Sequence, residues 1–295
     1  MAKLSREQAL PWLMLIVLAL VWGSSFILIK QGLLAFSPGE VGALRIVAAG
    51  LFLMPLALPK LKTLRRRQWG ILFLIGQGGS FIAVFLFALA QTRIASGLAG
   101  VLNATTPIFT LLIGAIFFGA TIRTRSVVGI IIGFLGVTIL ILSGENANLL
   151  DNFNAYALFI IVATVCYGIN VNVIKVKVSN LTSVTITGVS LVLVLPIAAT
   201  YLFGFTDFLP KLSTVEGAYW SLGCLVLLGI LGTAVALIYF NRLVQMVSPV
   251  FAAQVTYLIP IVALIWGLAD NEAILWGHVA GMVCILAGVY VANRK

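Results

Sequence analysis

Ten apolar runs, each about as long as a bilayer is thick, follow one another along this chain with only short polar turns between them. They fall at residues 11–32, 38–59, 69–90, 95–118, 127–143, 155–175, 182–204, 217–240, 248–268 and 274–292. A helix needs about 20 apolar residues to cross the hydrocarbon core. Barrel strands would alternate polar and apolar residues over about ten positions, and these runs do not. Each run is therefore expected to be one spanning helix, giving an all-α membrane protein of ten transmembrane helices. Only 9% of the 295 residues are charged, against about a quarter in soluble domains, so no separate aqueous domain is expected. The stretch Leu10–Ile29 is too long for a signal-peptide core and lacks a small-residue cleavage site; it is taken as an uncleaved first span.

The net charge of +10 raises nucleic acid as a partner, but that requires one basic patch on a soluble surface. Here the cations are parcelled out between apolar runs. With ten spans, fourteen of the eighteen fall on one side, among them Arg65, Arg66, Arg67, Arg123, Arg125 and Arg294, with Glu7 the sole acid there. The other side takes the remaining acids, with Lys30, Arg45, Arg93 and Lys211. The excess of cations marks the cytoplasmic side. Both termini are thus expected in the cytoplasm, in a bacterial-type inner membrane, with the lipid bilayer and not nucleic acid as surroundings.

The chain also repeats itself, and repeats decide architecture. Displacement by 145 positions lays Trp22 on Tyr167, Gly23 on Gly168, Ser25 on Asn170 and Lys30 on Lys175. Displacement by 153 lays Pro107 on Pro260 and Gly114 on Gly267, and runs five and ten share the pairs Gly129/Gly133 and Gly277/Gly281. Such small-residue spacing lets helices approach closely. Two halves follow, 1–146 and 147–295. Five spans each is an odd number, so the second half starts from the opposite face, the inverted plan of many carriers.

Trp22-Gly23-Ser24-Ser25-Phe26 with Lys30, Pro38, Ala43-Leu44-Arg45, the stretch from Ala99 to Pro107, and Glu272 followed by the segment from Gly277 to Tyr290 resemble the drug/metabolite transporter superfamily, in its EamA branch. The resemblance covers nearly the whole chain. It departs at Gly119-Ala120, where the family often has a Gly-Glu pair. It implies a ten-helix transporter with a central cavity between the halves and metabolite or amino-acid export as the commonest activity.

Polar side chains at mid-depth are costly in lipid and belong in a cavity or between helices. Trp22 and Ser25, Gln77 and Ser80, Asn103 and Thr106 with Thr110, Tyr167 and Asn170, and Gln254 and Tyr257 sit near one depth in five runs. Their i, i+3 spacings put each pair on one helix face. With Phe81 as a further aromatic wall, they make a substrate-binding cavity, against the alternative that single Asn, Gln and Ser residues merely join helices. Lys30, Glu40 and Arg45 form an outer vestibule. Arg45 either draws anions there or bonds backbone carbonyls structurally. His278, the lone histidine, is expected to be structural.

No carboxylate lies near the middle of any run, which favours facilitated diffusion or exchange over ion coupling. There is no nucleophile–base pair and no metal cluster, so no enzyme, no catalytic residue, no metal and no cofactor is expected. Three well-separated cysteines give no disulfide framework. The expected protein is a monomeric secondary transporter exporting a small-molecule substrate, amino acids foremost, by alternating access. Hydrophobic cations or drugs are the alternative, and nucleotide sugars a more distant one.

Overall fold

The computed structural model describes residues 6–91, 93, 96–143, 155–269 and 275–294; the side chains of Phe26 and Lys30 are among those outside the described set, as are Glu145, Asp151, Asp270 and Glu272. The described residues are helical, with no strand among them. Helix α1 (Arg6–Gly32) leads to α2 (Pro38–Leu61), whose start is fixed by a capping box. The Ser37 hydroxyl accepts from the Glu40 amide, the Glu40 carboxylate accepts from the Ser37 amide at 2.6 Å, and Pro38 occupies the first turn. Helix α3 (Arg66–Gly76) runs through a π-helical segment, Gln77–Ile82, into α4 (Ala83–Gln91). Helices α5 (Ser96–Asn103), α6 (Thr106–Phe118) and α7 (Thr124–Leu142) complete the N-terminal half. The C-terminal half holds α8 (Ala157–Lys177), α9 (Ser183–Gly204), the short α10 (Phe208–Thr214), and α11 (Ala218–Leu227), which passes through the π segment Leu228–Val235 into α12 (Ala236–Met246). It ends with α13 (Pro249–Ala253), α14 (Val255–Ala269) and α15 (Trp276–Asn293).

Eight helical stretches are long and apolar enough to cross a membrane. The other two expected spans, 95–118 and 248–268, are interrupted and contribute only shorter apolar helices. The first break has a local cause. Proline lacks an amide hydrogen and clashes with the carbonyl four residues back. Pro107 therefore frees the Asn103 carbonyl, which accepts instead from the Thr106 hydroxyl at 2.7 Å. At the second break the turn tightens around Gln254, whose amide donates to Phe251 and whose carbonyl accepts from Tyr257.

The irregularities fall in step. In each half the third apolar run carries the π segment and the fourth carries the break. The packing follows the same rhythm: α1 lies against α14 and α12, while α8 lies against α6 and α4. Helices α2 and α9 pack antiparallel, with Gly50 against Leu195 and Gly188 against Ala57. Helices α7 and α15 also pack antiparallel, with Gly129 against Ala292, Gly136 against Ile285 and Gly277 against Ser143. Buried Leu15, Leu18, Ile46, Leu53 and Ile160 fill the interior, and Leu13, Ile16, Leu74 and Phe117 point outward.

Candidate functional site

Two matched helix crossings bring the expected polar residues together. Gly23 of α1 lies against Val262 and the Ile259 carbonyl of α14, and Gly168 of α8 lies against the Thr110 amide and Phe109 backbone of α6. A side chain at either glycine would force the helices apart. On the same two helices, Ser25 abuts Gly232 and Asn170 abuts Gly79, each glycine lying within a π segment. The extra residue of a π turn disrupts the regular ladder and recurs at functional sites. Here it sets a bare glycine backbone beside each polar side chain.

Around the Ser25 crossing, Trp22 donates its indole N–H to the Gly232 carbonyl at 2.9 Å and tilts against Phe240. Arg45 Nε donates to the hydroxyl of Thr233, the next residue of that π segment. Around the Asn170 crossing, Tyr167 faces Phe87 and lies within electrostatic reach of the Arg45 guanidinium. Gln77 and Ser80 sit in the π segment packed on α8. Asn103 and Thr106 flank the α5–α6 break, which is joined to α8 through Thr105 and Thr164 at 3.2 Å. The side-chain carbonyl oxygens of Asn103 and Asn170 are buried and accept no hydrogen bond. Leaving such a group unpaired costs about 1–3 kcal/mol.

Four expected members lie elsewhere. Tyr257 is fully buried; its hydroxyl donates to the Ile130 carbonyl at 3.0 Å and its ring fills the slot left by Gly133. It is a strut between α14 and α7, not a cavity wall. Gln254, also fully buried, accepts from Asn293 and so ties α13 and α14 to the end of α15. Phe81 stacks on Phe85 at 4.7 Å, which in turn meets Tyr201. Glu40 does not open a vestibule: its carboxylate is 1% exposed and bridges Lys211 at 2.6 Å in addition to capping α2. The Lys30 side chain lies outside the described residues. His278 is buried, with Nδ1 accepting from the Leu275 amide, a structural role.

Tyr257→Phe separates strut from binding wall. Losing one hydrogen bond costs about 1 kcal/mol, so the variant is expected to melt a few degrees lower and transport at the wild-type rate. A fall in flux without a fall in melting temperature would return Tyr257 to the site.

A cavity of about 760 Å³ opens between the halves at the end where Arg123, Arg125 and Arg294 meet. Trp12, Phe251 and Asn293 line it too, with the buried Thr110 and Asn172, and no carboxylate lines it among the described residues. The Asn172 amide donates to the Thr110 and Gly168 carbonyls at 2.9 and 2.8 Å, which closes the cavity off beside the Gly168 crossing. Gly232, Thr233 and Asn172 were not singled out from sequence. The displacement by 153 that aligns Pro107 with Pro260 also lays Gly79-Ser80 on Gly232-Thr233, so the first two were within reach.

The site offers hydrogen bonds, aromatic faces and one cation, and no cluster suited to a metal ion occurs among the described residues. A helical membrane bundle in two matched halves, with polar helix crossings and a cavity between them, has the layout of a transporter. The chain belongs to the EamA-like transporter family, whose model matches it twice, over residues 10–142 and 154–294. It is 30% identical over 290 residues to an uncharacterized transporter of Archaeoglobus fulgidus, covering 96% of this chain and 99% of the other. It is 23% identical to a probable terminal-alkyne amino-acid exporter of Streptantibioticus cattleyicolor, covering 95% and 92%. A crystal structure with 17% sequence identity shares the fold, with a TM-score of 0.76 over 97% of this chain and 96% of that one.

Proposed function

We propose that this protein is a secondary transporter of ten spans in two inverted five-span repeats, exporting small metabolites, amino acids foremost, by alternating access. The carrying observation is the pair of matched crossings, Gly23–Ser25 with Gly232 and Gly168–Asn170 with Gly79, set between the halves beside a basic-lined cavity. Interrupted apolar segments at corresponding places in two halves point to a midplane binding site, and both the π segments and the breaks correspond. Antiparallel packing of the equivalent helices α2 and α9, and of α7 and α15, supports inversion; repeats of like orientation would run parallel. The arginine-lined end is cytoplasmic by its charge. Neutral Asn, Ser and Thr groups suit a solute of low net charge, and one relative carries amino-acid export in its name. The protein acts as a monomer without cofactor, metal or chemical step, and its solute moves down its own gradient.

The test is flux of labelled leucine, phenylalanine, threonine and serine in proteoliposomes, with and without a pH gradient. Saturable flux, unchanged by the gradient and reduced about 10-fold or more in Asn103→Ala/Asn170→Ala as site hydrogen bonds are lost, is expected. Accumulation driven by the gradient would overturn the facilitative part, and silence across the panel would overturn the amino-acid part.

A further inference from the structure

We propose that Arg45 is the residue that binds a carboxylate on the transported solute, so that this protein selects organic acids over their neutral amides. The assignment rests on the transporter reading above and names the chemistry of its site. Arg45 lies about two turns into α2, in the interior of the bundle, yet its side chain keeps accessible surface. Space therefore adjoins it. Its single hydrogen bond among the described residues runs from Nε to the Thr233 hydroxyl. A structural arginine in a helix would take backbone carbonyls, and none accepts from it among the described residues. Its terminal amino groups are absent from the buried atoms that lack partners, which are on Asn103, Asn170, Ser190 and Gln254. The guanidinium thus lies deep in the bundle, with Nε held by Thr233 and accessible surface left at its terminal amino groups.

A cation inside the membrane calls for a counter-charge or water. The salt bridge present among the described residues, Glu40 to Lys211, does not include Arg45. The planar fork matches a carboxylate with two parallel hydrogen bonds. Arg45 reaches Tyr167 electrostatically, and one helical turn further along α8 is Asn170 with its orphaned carbonyl oxygen. A donor fork on α2 and an unpaired acceptor on α8 form a dipolar site, fitted to a solute with an acid at one end and an amino or hydroxyl group at the other.

The experiment compares each labelled acid with its carboxamide in proteoliposomes of wild type, Arg45→Lys and Arg45→Gln. It is paired with thermal melts of the same proteins in lactate, benzoate, lactamide and benzamide. Wild type is expected to carry acids about 10- to 100-fold faster than amides, because a neutral amide forgoes the charge-assisted pairing of the fork. Arg45→Gln is expected to lose that preference by carrying amide and acid alike, a change that misfolding does not produce; Arg45→Lys retains part of it. Acids, and not amides, are expected to raise the melting temperature of wild type alone. Equal carriage of acid and amide by wild type overturns the assignment and leaves the transporter reading standing. Silence in flux with an acid-specific melting shift removes the amino-acid reading and keeps the assignment; silence in flux with no such shift overturns the assignment too.

Discussion

Gly288→Leu is expected to leave almost no folded protein in detergent extracts. Helices α7 and α15 meet along a seam of glycines, and Gly288 lies in it with only backbone atoms of the facing helix against it. A Cβ there would touch the Gly133 amide nitrogen and stand 2.7 Å from both the Gly129 carbonyl oxygen and the Gly133 Cα. Those are backbone atoms on the facing helix, so no side chain can swing away. Lipid gives no hydrophobic push between helices, and close backbone packing is what holds such a pair. Overpacking a core usually costs about 1–3 kcal/mol. Here the whole helix must withdraw, and the contacts of Gly129, Gly136 and Gly281 go with it, against a total stability of about 5–15 kcal/mol. Gly223→Ala is the control, because nothing lies within 4 Å of an added Cβ there. Alanine is the better helix former by up to about 1 kcal/mol, so this variant is expected to be as stable as wild type or more so. Size-exclusion profiles of both variants check the pair. A monodisperse, normal-yield Gly288→Leu would mean that α7 and α15 do not meet at this seam.

The number of apolar runs and the glycine spacing of α7 and α15 were legible because both are local patterns. Hydropathy is summed over one segment, and small residues four apart fall on one helix face whatever lies opposite. The Pro107 break was half-legible. Proline announces a lost hydrogen bond, but hydropathy averaged over the run 95–118 does not register that Ala104 and Thr105 leave the helix. The π segments carry no composition signal at all. Their glycines, Gly79 and Gly232, correspond under the displacement already set by the two prolines, so symmetry was the available clue where hydropathy had none.

The partners of the site residues were not legible. The sequence sets Gln254 and Tyr257 three residues apart, but the neighbour each one meets is fixed by fit across distant sequence. Tyr257 goes where Gly133 leaves room and Ile130 leaves a carbonyl. Trp22 and Ser25, by contrast, meet Gly232 because α1 crosses α14 at Gly23, and the duplicated Tyr167 and Asn170 follow the same geometry around Gly168. Glu40 shows the converse case. Its position near the outer end was plain, and so was the Ser37-Pro38-Gly39-Glu40 start signal of a helix. The carboxylate is absorbed by that cap and by Lys211, from 171 residues away.

That bridge leads to the second large effect. Covalent linkage of residues 40 and 211 is expected to stop transport reversibly. The halves are tied at this end by Glu40–Lys211, by the Ser221 hydroxyl donating to the Gln31 carbonyl at 2.7 Å, and by Phe36 against Phe208 at 5.5 Å. At the opposite end a cavity of about 760 Å³ separates them. If solute crosses by exposing the site to each side in turn, the tied end must part on every cycle. The salt bridge can do so, because Lys211 is partly exposed and can turn to water while Glu40 keeps its cap; a covalent tether cannot. With Cys166, Cys224 and Cys284 replaced, Glu40→Cys/Lys211→Cys joined by a short bifunctional thiosulfonate is expected to carry solute at background rate and to recover with dithiothreitol. Each single cysteine treated with the same reagent should stay active, which separates tethering from loss of the ion pair. Full flux through the tethered protein would place the moving boundary elsewhere, and the outer ends of α2 and α10 would then belong to one rigid body.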